Sequence, residues 1–324
     1  MSKLLESVDK RTLLVGRNRL ELLMFYLQHG QTFAINVFKI QEVQQIPKIT
    51  ILPEQHPTVV GVTYVRGLTV PVIDLGKAIG MKPIADLKHS TIIITEYNMS
   101  VQAFIVKNVD RIVNMDWEDI LPPPPSAGRQ HYLTSITRID DRLVEIIDVE
   151  KVLSQIVPCK TEVSEGVLEE EVMNLAKDKE ILLVDDSSVA ISQAKSTLES
   201  IGLKVHVAYN GRMGLDILEK WVSEGIDVEE KLLMLVTDAE MPEMDGYRLT
   251  AECRANPKLE NLFVVLHTSL SGSFNKAMVE KVGCNAFLSK FQPDSLARLV
   301  QDRVKMVCGI DVPSTEHKNG VYSA

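Results

Sequence analysis

The chain has 324 residues, which exceeds one typical domain and predicts two. Its hydrophobic content of 45% and charged content of 24% are ordinary for a soluble globular protein. The net charge of −9 is uneven, because residues 1–158 hold 17 basic and 17 acidic residues and the remainder carries the whole acidic excess. An acidic half without a basic stripe argues against nucleic acid as a partner. No apolar run approaches the roughly 18 residues that direct membrane insertion would need.

Short runs with period-two alternation, rich in β-branched residues, fill the chain from about Leu20 to Leu153. They are separated by turn signals such as His29-Gly30 and Arg66-Gly67, and this pattern predicts an all-β barrel or sandwich. The proline run at 122–125 is interpreted as a rigid surface loop, with a polyproline ligand as the alternative. No catalytic constellation occurs in this half, which favours a binding module. The runs are Leu22–Leu27, Val59–Val62, Leu68–Ile73, Thr91–Ile94 and Leu143–Ile147.

A charged segment, Glu162–Lys179, follows the β-rich half. Its apolar residues recur at near-helical spacing, so we interpret it as a partly helical connector between domains; it is too short to predict a coiled coil. These apolar residues are Val163, Val167, Leu168, Val172 and Leu175.

After Lys179 the pattern changes to alternating strands and helices. Five βα units predict a doubly wound α/β domain, because parallel strands need helical crossovers. The predicted strands are Ile181–Val184, Val205–Ala208, Leu232–Thr237, Leu262–Thr268 and Ala286–Leu288. The predicted helices begin near Ser188, Gly211, Gly246, Ser273 and Pro293.

Acidic residues follow two of these strands directly. Asp185 and Asp186 come after the first strand, and Asp238 after the third. The pair alone could be a helix N-cap. Carboxyl ends of parallel strands meet at one edge, however, and two unit charges ~4 Å apart repel by roughly 4 kcal/mol at an effective dielectric near 20. A hard cation relieves this repulsion, so the three carboxylates predict a Mg²⁺ site.

Thr268 and Lys290 end the fourth and fifth strand regions and are expected at the same edge. A lone lysine is usually a solvated surface residue, and a strand threonine usually packs. Beside the carboxylates, the lysine can hold a phosphoryl oxygen as a point charge and the threonine can offer a hydroxyl donor.

These segments together resemble a two-component response-regulator receiver domain, which implies a flavodoxin-like (βα)5 fold over about residues 179–305. The stretches that carry the resemblance are Ile181–Ser187, Thr237–Gly246, His267–Ser269 and Phe287–Lys290. The 52-residue separation of Asp186 and Asp238 is longer than expected, with extra residues placed around Trp221–Lys231. Phe291 follows Lys290 where the family usually has proline.

The resemblance implies a role for each matching residue. Asp238 would be the phosphoacceptor, with Asp185 and Asp186 as Mg²⁺ ligands. Asp238 itself and the backbone carbonyl of Glu240 would complete the protein ligands of the ion. Thr268 and Lys290 would contact the phosphoryl group. Phe287 would be the aromatic switch residue, with plain core packing as the alternative.

The first half resembles the CheW-type chemotaxis coupling domain, which implies two small SH3-like barrels with a hydrophobic groove between them. The clearest matches are Val65-Arg66-Gly67 and Pro71–Leu75. The family binds chemoreceptor cytoplasmic tips and the histidine kinase CheA. Glu42 and Arg66 match positions linked to those contacts, although Arg66 could simply cap a turn against an acid. Tyr64-Val65 replaces the usual Asn-Leu before Arg-Gly.

A coupling domain followed by a receiver is the arrangement of CheV-type chemotaxis proteins. It implies a non-enzymatic cytoplasmic adaptor, recruited to membrane receptor arrays, whose coupling changes when Asp238 is phosphorylated. The alternatives are a regulator with another protein-binding output and a pseudo-receiver that only binds partners. We predict an N-terminal extension (1–19), a coupling domain (20–158), a linker (159–178), a receiver (179–308) and a tail (309–324).

Overall fold

The computed structural model describes residues 19–28, 30–97, 100–116, 119–121, 132–156, 162–177, 179–268, 282–310 and 322–323. The chain divides into two compact units, one over Arg19–Pro158 and one from Cys159 onward. The proline run at 122–125 and the helix expected from Ser273 lie outside the described residues. Among the helices of the described ranges, none combines the length and apolar character needed to cross a membrane.

The first unit consists of two five-stranded sheets, which confirms the all-β class. The first sheet has the order β8-β1-β2-β10-β9 and the second has the order β3-β6-β7-β5-β4. Neighbouring strands are antiparallel except for the parallel pairs β2–β10 and β5–β7. Two short helices follow strands β5 and β10: α1 (Leu75–Ala78) and α2 (Val149–Ile156). The strands are β1 (Arg19–Tyr26), β2 (Thr32–Asn36), β3 (Ile40–Gln45), β4 (Val59–Val65), β5 (Leu68–Asp74), β6 (Thr91–Tyr97), β7 (Ser100–Val106), β8 (Asn108–Asp116), β9 (Leu133–Ile139) and β10 (Arg142–Ile147).

In each sheet, an ion pair links one edge strand to the turn next to the opposite edge strand. In the first sheet, Arg111 on edge strand β8 pairs with Asp140 in the β9–β10 turn. In the second, Glu42 on edge strand β3 pairs with Arg66 in the β4–β5 turn. Ends that are far apart in strand order therefore approach each other in space. This curling agrees with the two small barrels that the resemblance to the CheW-type coupling domain implies.

Buried side chains of three neighbouring strands form a core cluster on the first sheet. In β1, Leu22 and Met24 are buried in one cluster with Ala34 of β2 and Val144 and Ile146 of β10. Leu23 and Phe25 of β1 are buried as well, so both faces of this strand are covered and its burial does not follow the period-two pattern.

The second unit is a six-stranded parallel sheet of order β12-β11-β13-β14-β15-β16, flanked by helices. The strands are β11 (Glu180–Val184), β12 (Lys204–Ala208), β13 (Leu232–Thr237), β14 (Val264–Thr268), β15 (Ala286–Ser289) and β16 (Tyr322–Ser323). The helices are α3 (Glu170–Ala176), α4 (Ser188–Ser200), α5 (Gly211–Ser223), α6 (Val228–Lys231), α7 (Gly246–Ala255) and α8 (Pro293–Val307). This sheet confirms the predicted doubly wound class.

Both faces of the sheet are covered, so its central strands are apolar throughout rather than alternating. All six residues of β13 are buried. One core cluster packs α5 and α7 against the sheet, and the other packs α4 and α8. The second cluster also includes Val172 and Ala176 of the connector helix α3. Residues 162–177 therefore pack within the second unit; the predicted domain boundaries themselves stay a prediction.

The extra residues around Trp221–Lys231 form the end of α5 and the short helix α6. Trp221 packs edge-on against His206 of β12, and Lys231 lies 5.2 Å from the Trp221 ring centroid. Lys231 also pairs with Glu180 at 2.8 Å, at the start of β11. The extra residues thus contact the amino end of β11, away from the acidic edge, as the sequence predicts. The two-residue strand β16, within the predicted tail, was not anticipated.

Candidate functional site

Parallel strands bring the predicted site residues together at one sheet edge. Val184 at the end of β11 is in register with Thr237 at the end of β13, so Asp185 and Asp238 leave the sheet side by side. Thr268 at the end of β14 is in register with Ser289, directly before Lys290. Backbone hydrogen bonds continue past the strands, from Asp238 N to Val184 O (2.8 Å) and from Lys290 N to Thr268 O (2.9 Å).

Three carboxylates form a compact group at this edge. One oxygen each from Asp185, Asp186 and Asp238 lies within 4.8 Å of the others. Asp185 and Asp238 are buried, with 1% and 6% of their surfaces exposed, and Asp186 is half-buried. Helix capping does not require this arrangement, because Ser187 caps α4 with its own hydroxyl, which accepts from Ala190 N.

Lys290 is the counter-ion of this group. Its side chain is 1% exposed, and Nζ lies 2.8 Å from Asp185 Oδ2 and 2.9 Å from Asp238 Oδ2. A buried ammonium needs such partners, because moving an unpaired charge out of water costs several kcal/mol. The interpretation of Lys290 as a solvated surface residue is therefore wrong.

The donor set fits a small divalent cation. Burial raises the pKa of Asp185 well above its usual 3.8; nearby Lys290 opposes this, while Asp238 and Asp186 reinforce it. Asp185 Oδ2 is buried and faces the Lys290 ammonium, with Nζ at 2.8 Å. Oxygen ligands from a few carboxylates are what Mg²⁺ prefers.

The backbone around Asp238 is tightly constructed. Its Oδ1 accepts a hydrogen bond from Ala239 N at 2.7 Å, while Oδ2 faces Lys290. Gly246, the first residue of α7, lies so close that a Cβ there would be 1.9 Å from the Asp238 carbonyl oxygen. Only glycine fits this position. Sequence reasoning used Gly246 merely as the start of a helix.

The remaining predicted residues surround this group. Thr268 is buried at the end of β14. Glu240 is half-buried, two residues beyond Asp238. Phe287 on β15 is partly buried and packs against the core cluster of α5 and α7. This packing favours the core alternative for Phe287 and leaves its switch role a prediction.

Phe291 is a residue whose conformation sequence reasoning did not anticipate. It is 6% exposed and has a φ of +60°, in the left-handed region that bulky residues rarely adopt. It follows Lys290 directly, so its conformation sets the turn between the lysine and helix α8. The sequence signal for an unusual conformation here was that Phe291 stands where the family usually has proline.

The two predicted interface residues lie in the first unit and pair with each other. Arg66 has a φ of +47° at the β4–β5 turn, and its guanidinium contacts the Glu42 carboxylate. This supports the alternative that Arg66 meets an acid at a turn. Exposed apolar side chains lie nearby in sequence: Val43, Tyr64 and Leu68 are 40%, 72% and 54% exposed.

Comparison with known proteins identifies both units. The CheW-like domain profile matches residues 21–157, and the response regulator receiver domain profile matches residues 181–301. Chemotaxis protein CheV3 of Helicobacter pylori is 30% identical, over 81% of this chain and 85% of its own length. Chemotaxis protein CheV1 of the same organism is 27% identical over 94% of this chain and 100% of its own length. Chemotaxis protein CheW of Klebsiella aerogenes is 27% identical over 41% of this chain and 81% of its own length.

The CheV relatives extend across both units, whereas the CheW relative is similar to less than half of the chain. This chain consists of a CheW-like β unit followed by a receiver domain, and the CheV relatives match across both. The chain belongs to the CheV family of chemotaxis proteins and is a chemotaxis adaptor that carries a receiver domain.

Proposed function

We propose that this adaptor couples chemoreceptors to the histidine kinase CheA through its first unit, and that phosphorylation of Asp238 modulates the coupling. The observation that carries the proposal is the group of three carboxylates, in which buried Asp185 and Asp238 pair with buried Lys290 and half-buried Asp186 lies beside them. A binding scaffold alone has little reason to bury two carboxylates and a lysine, since burial of charge is costly. The consequence is adaptation, or removal of phosphoryl groups from the kinase.

In the proposed step, Asp238 Oδ2 attacks the phosphorus of phosphohistidine on the kinase. An O–P bond forms as the P–N bond breaks, and the electron pair of that bond returns to the imidazole nitrogen. The product is an acyl phosphate on Asp238. Oδ1 stays oriented by its hydrogen bond from Ala239 N. Positioning and charge neutralisation supply nearly all catalysis in such a transfer.

Lys290 and Thr268 would receive the transferred group. Lys290 Nζ already contacts Asp238 Oδ2, so it is placed to pair with phosphoryl oxygens, while Thr268 would donate its hydroxyl hydrogen. Asp185, Asp186, Asp238 and the Glu240 carbonyl would hold Mg²⁺, which supplies charge neutralisation when bound. Apart from assisting its own phosphorylation and dephosphorylation, the chain is proposed not to be an enzyme.

For the first unit we propose a contact surface around the Glu42–Arg66 pair. Arg66 is 73% exposed although it is paired, and the exposed apolar residues Tyr64 and Leu68 belong to the same β4–β5 hairpin. Arginine and aromatic residues are enriched where interfaces bind most strongly. Receptor tips and CheA are the proposed partners, as in the CheW family. A cytoplasmic location at receptor arrays follows from those partners.

The test is phosphotransfer to the full chain. Wild type, Asp238→Asn and the control Asp216→Asn are incubated with ³²P-phosphorylated CheA and Mg²⁺. Asp216 is an exposed aspartate on α5 that pairs with Arg212, outside the site. We expect wild type and Asp216→Asn to gain a base-labile label and Asp238→Asn to gain none. An unlabelled wild type, or equal labelling of Asp238→Asn, would show the proposed role of Asp238 to be wrong.

A further inference from the structure

The segment between the two predicted domains is held by helix α8 of the receiver. This connector, defined as residues 162–177, packs apolar residues into the cluster formed by α4, α8 and the sheet. Val172 and Ala176 are 2% and 0% exposed, and Val163, Val167 and Leu168 pack at its margin. A freely moving linker would leave these residues in water. The connector is therefore docked on one face of the receiver.

Polar contacts hold the connector on α8 at the beginning, the middle and the end of the helix. At its first turn, the Asp294 carboxylate accepts from Ser164 N at 2.7 Å and from Ser164 Oγ at 2.8 Å. In its middle, the Gln301 amide accepts from Glu169 N at 2.8 Å and donates to Val167 O at 2.9 Å. Near its end, Lys305 Nζ lies 2.7 Å from Glu169 Oε1.

The Gln301 contact is specific. Gln301 is 2% exposed, and both ends of its side-chain amide bond backbone groups of the connector. A buried amide whose partners leave would be unsatisfied, which costs about 1–3 kcal/mol. The side chain thus favours a docked connector over a detached one.

The same helix begins at the proposed phosphorylation site. Asp294 lies four residues after Lys290, whose ammonium bridges Asp185 and Asp238. Between them lie buried Phe291, with its left-handed backbone, and Pro293, the first residue of α8, and both restrict the conformations that can absorb a displacement. A movement of Lys290 toward a phosphoryl group would therefore act on Asp294 and its partner Ser164.

We propose that phosphorylation of Asp238 is transmitted to the rest of the chain by release of the connector from α8. This rests on the proposed phosphorylation of Asp238 and adds its route of transmission. The contacts indicate release of the connector and not its tighter docking, because the Ser164–Asp294 and Gln301 hydrogen bonds are already complete while Lys290 pairs with Asp238. A shift of the turn can preserve those bonds or break them, and a two-pronged carboxylate contact tolerates little displacement.

The test is hydrogen exchange of the full chain, followed by mass spectrometry of the peptides that cover residues 162–177. The chain is measured with Mg²⁺ alone and with Mg²⁺ plus acetyl phosphate, and intact mass reports the phosphorylated fraction of the same samples. We expect amides of the connector to exchange roughly tenfold faster in the phosphorylated chain, as for a segment that opens locally.

Variants separate docking from transmission. Gln301→Leu and Ser164→Ala should accelerate connector exchange without acetyl phosphate, whereas Arg298→Ala, an exposed residue of the same helix, should not. Trp221 fluorescence in a Trp117→Phe background checks that each variant is folded. If Asp238 is phosphorylated but connector exchange changes less than twofold, the inference is wrong while the proposed function stands. If Asp238 takes up no phosphoryl group from acetyl phosphate or CheA, the proposed function fails and the inference with it.

Discussion

Replacing Lys290 by methionine tests how the acidic edge is stabilised without a bound cation. The substitution keeps an unbranched side chain of similar length and removes the ammonium that lies 2.8 Å from Asp185 and 2.9 Å from Asp238. Removing one partner of a buried ion pair typically costs about 3–5 kcal/mol. We expect a loss in that range in the free energy of unfolding of the second unit when Mg²⁺ is absent.

Protonation of Asp185 limits the loss of unfolding free energy in Lys290→Met, and it therefore determines how that loss depends on pH. Burial already raises the pKa of Asp185, and loss of Lys290 raises it further, so the folded variant holds a proton that the unfolded chain releases. A carboxyl group whose folded pKa is raised loses stabilisation as pH increases above its unfolded pKa. The destabilisation of Lys290→Met relative to wild type should therefore be larger at pH 8 than at pH 5.

A divalent cation should compensate for the missing ammonium. Mg²⁺ at about 10 mM is expected to recover at least half of the loss, because a ligand that binds only the folded state stabilises it. The assay is urea unfolding followed by Trp221 fluorescence in a Trp117→Phe background, which leaves one tryptophan. The control, Lys195→Met, removes an exposed pair at 3.6 Å and should cost under about 0.5 kcal/mol. A Lys290→Met variant that loses less than about 1 kcal/mol and does not respond to Mg²⁺ would refute the reasoning.

Three further predictions concern other parts of the chain. Burial raises the pKa of Glu180, but Lys231, His206 and Lys204 outweigh it and lower the pKa to about 2. The resulting stabilisation, about 1–2 kcal/mol after solvent screening, should be present above about pH 4.5 and vanish as the pH falls through about 2. Urea unfolding measured against pH should show this stabilisation in wild type and not in Glu180→Gln. Gly246→Ala should lower the melting temperature by several degrees and slow Asp238 labelling, because its Cβ would lie 1.9 Å from the Asp238 carbonyl; wild-type labelling and stability would contradict this. Exchanging the charges of the Glu42–Arg66 pair, whose side chains are 22% and 73% exposed, by Glu42→Arg with Arg66→Glu should change stability by under about 1 kcal/mol. It should nevertheless reduce co-sedimentation with receptor and CheA, and unchanged co-sedimentation would count against the interface.

The sequence predicted the receiver sheet well because buried parallel strands are nearly continuous apolar runs. The predicted strand Leu232–Thr237 is the observed β13, and the predicted helix starts at Ser188, Gly211, Gly246 and Pro293 are those observed. Because the carboxyl ends of parallel strands meet at one edge of the sheet, the predicted strands also placed the acidic residues and Lys290 together without any side-chain coordinates.

Contacts between residues far apart in sequence were not predictable in the same way. The apolar spacing of the connector showed that it would be partly helical, but Ser164 meets Asp294 across 130 residues and Glu169 meets Gln301 across 132. Periodicity reports which face of a helix is buried and not what buries it. The ion pairs that join the ends of the β sheets, such as Arg111–Asp140, were missed for the same reason.

The pairing of Lys290 connects the chemistry of the site to its transmission. A lysine that only waited for a phosphoryl group would be costly to bury, whereas here it neutralises Asp185 and Asp238 at rest. Phosphorylation adds charge at Asp238 and gives the ammonium a new partner, so the resting ion pairs have to change. Because Lys290 is separated from the first turn of α8 by a short, conformationally restricted turn, that change acts directly on the helix that holds the connector. Neutralisation of the resting site and readout of its phosphorylation therefore depend on the same side chain.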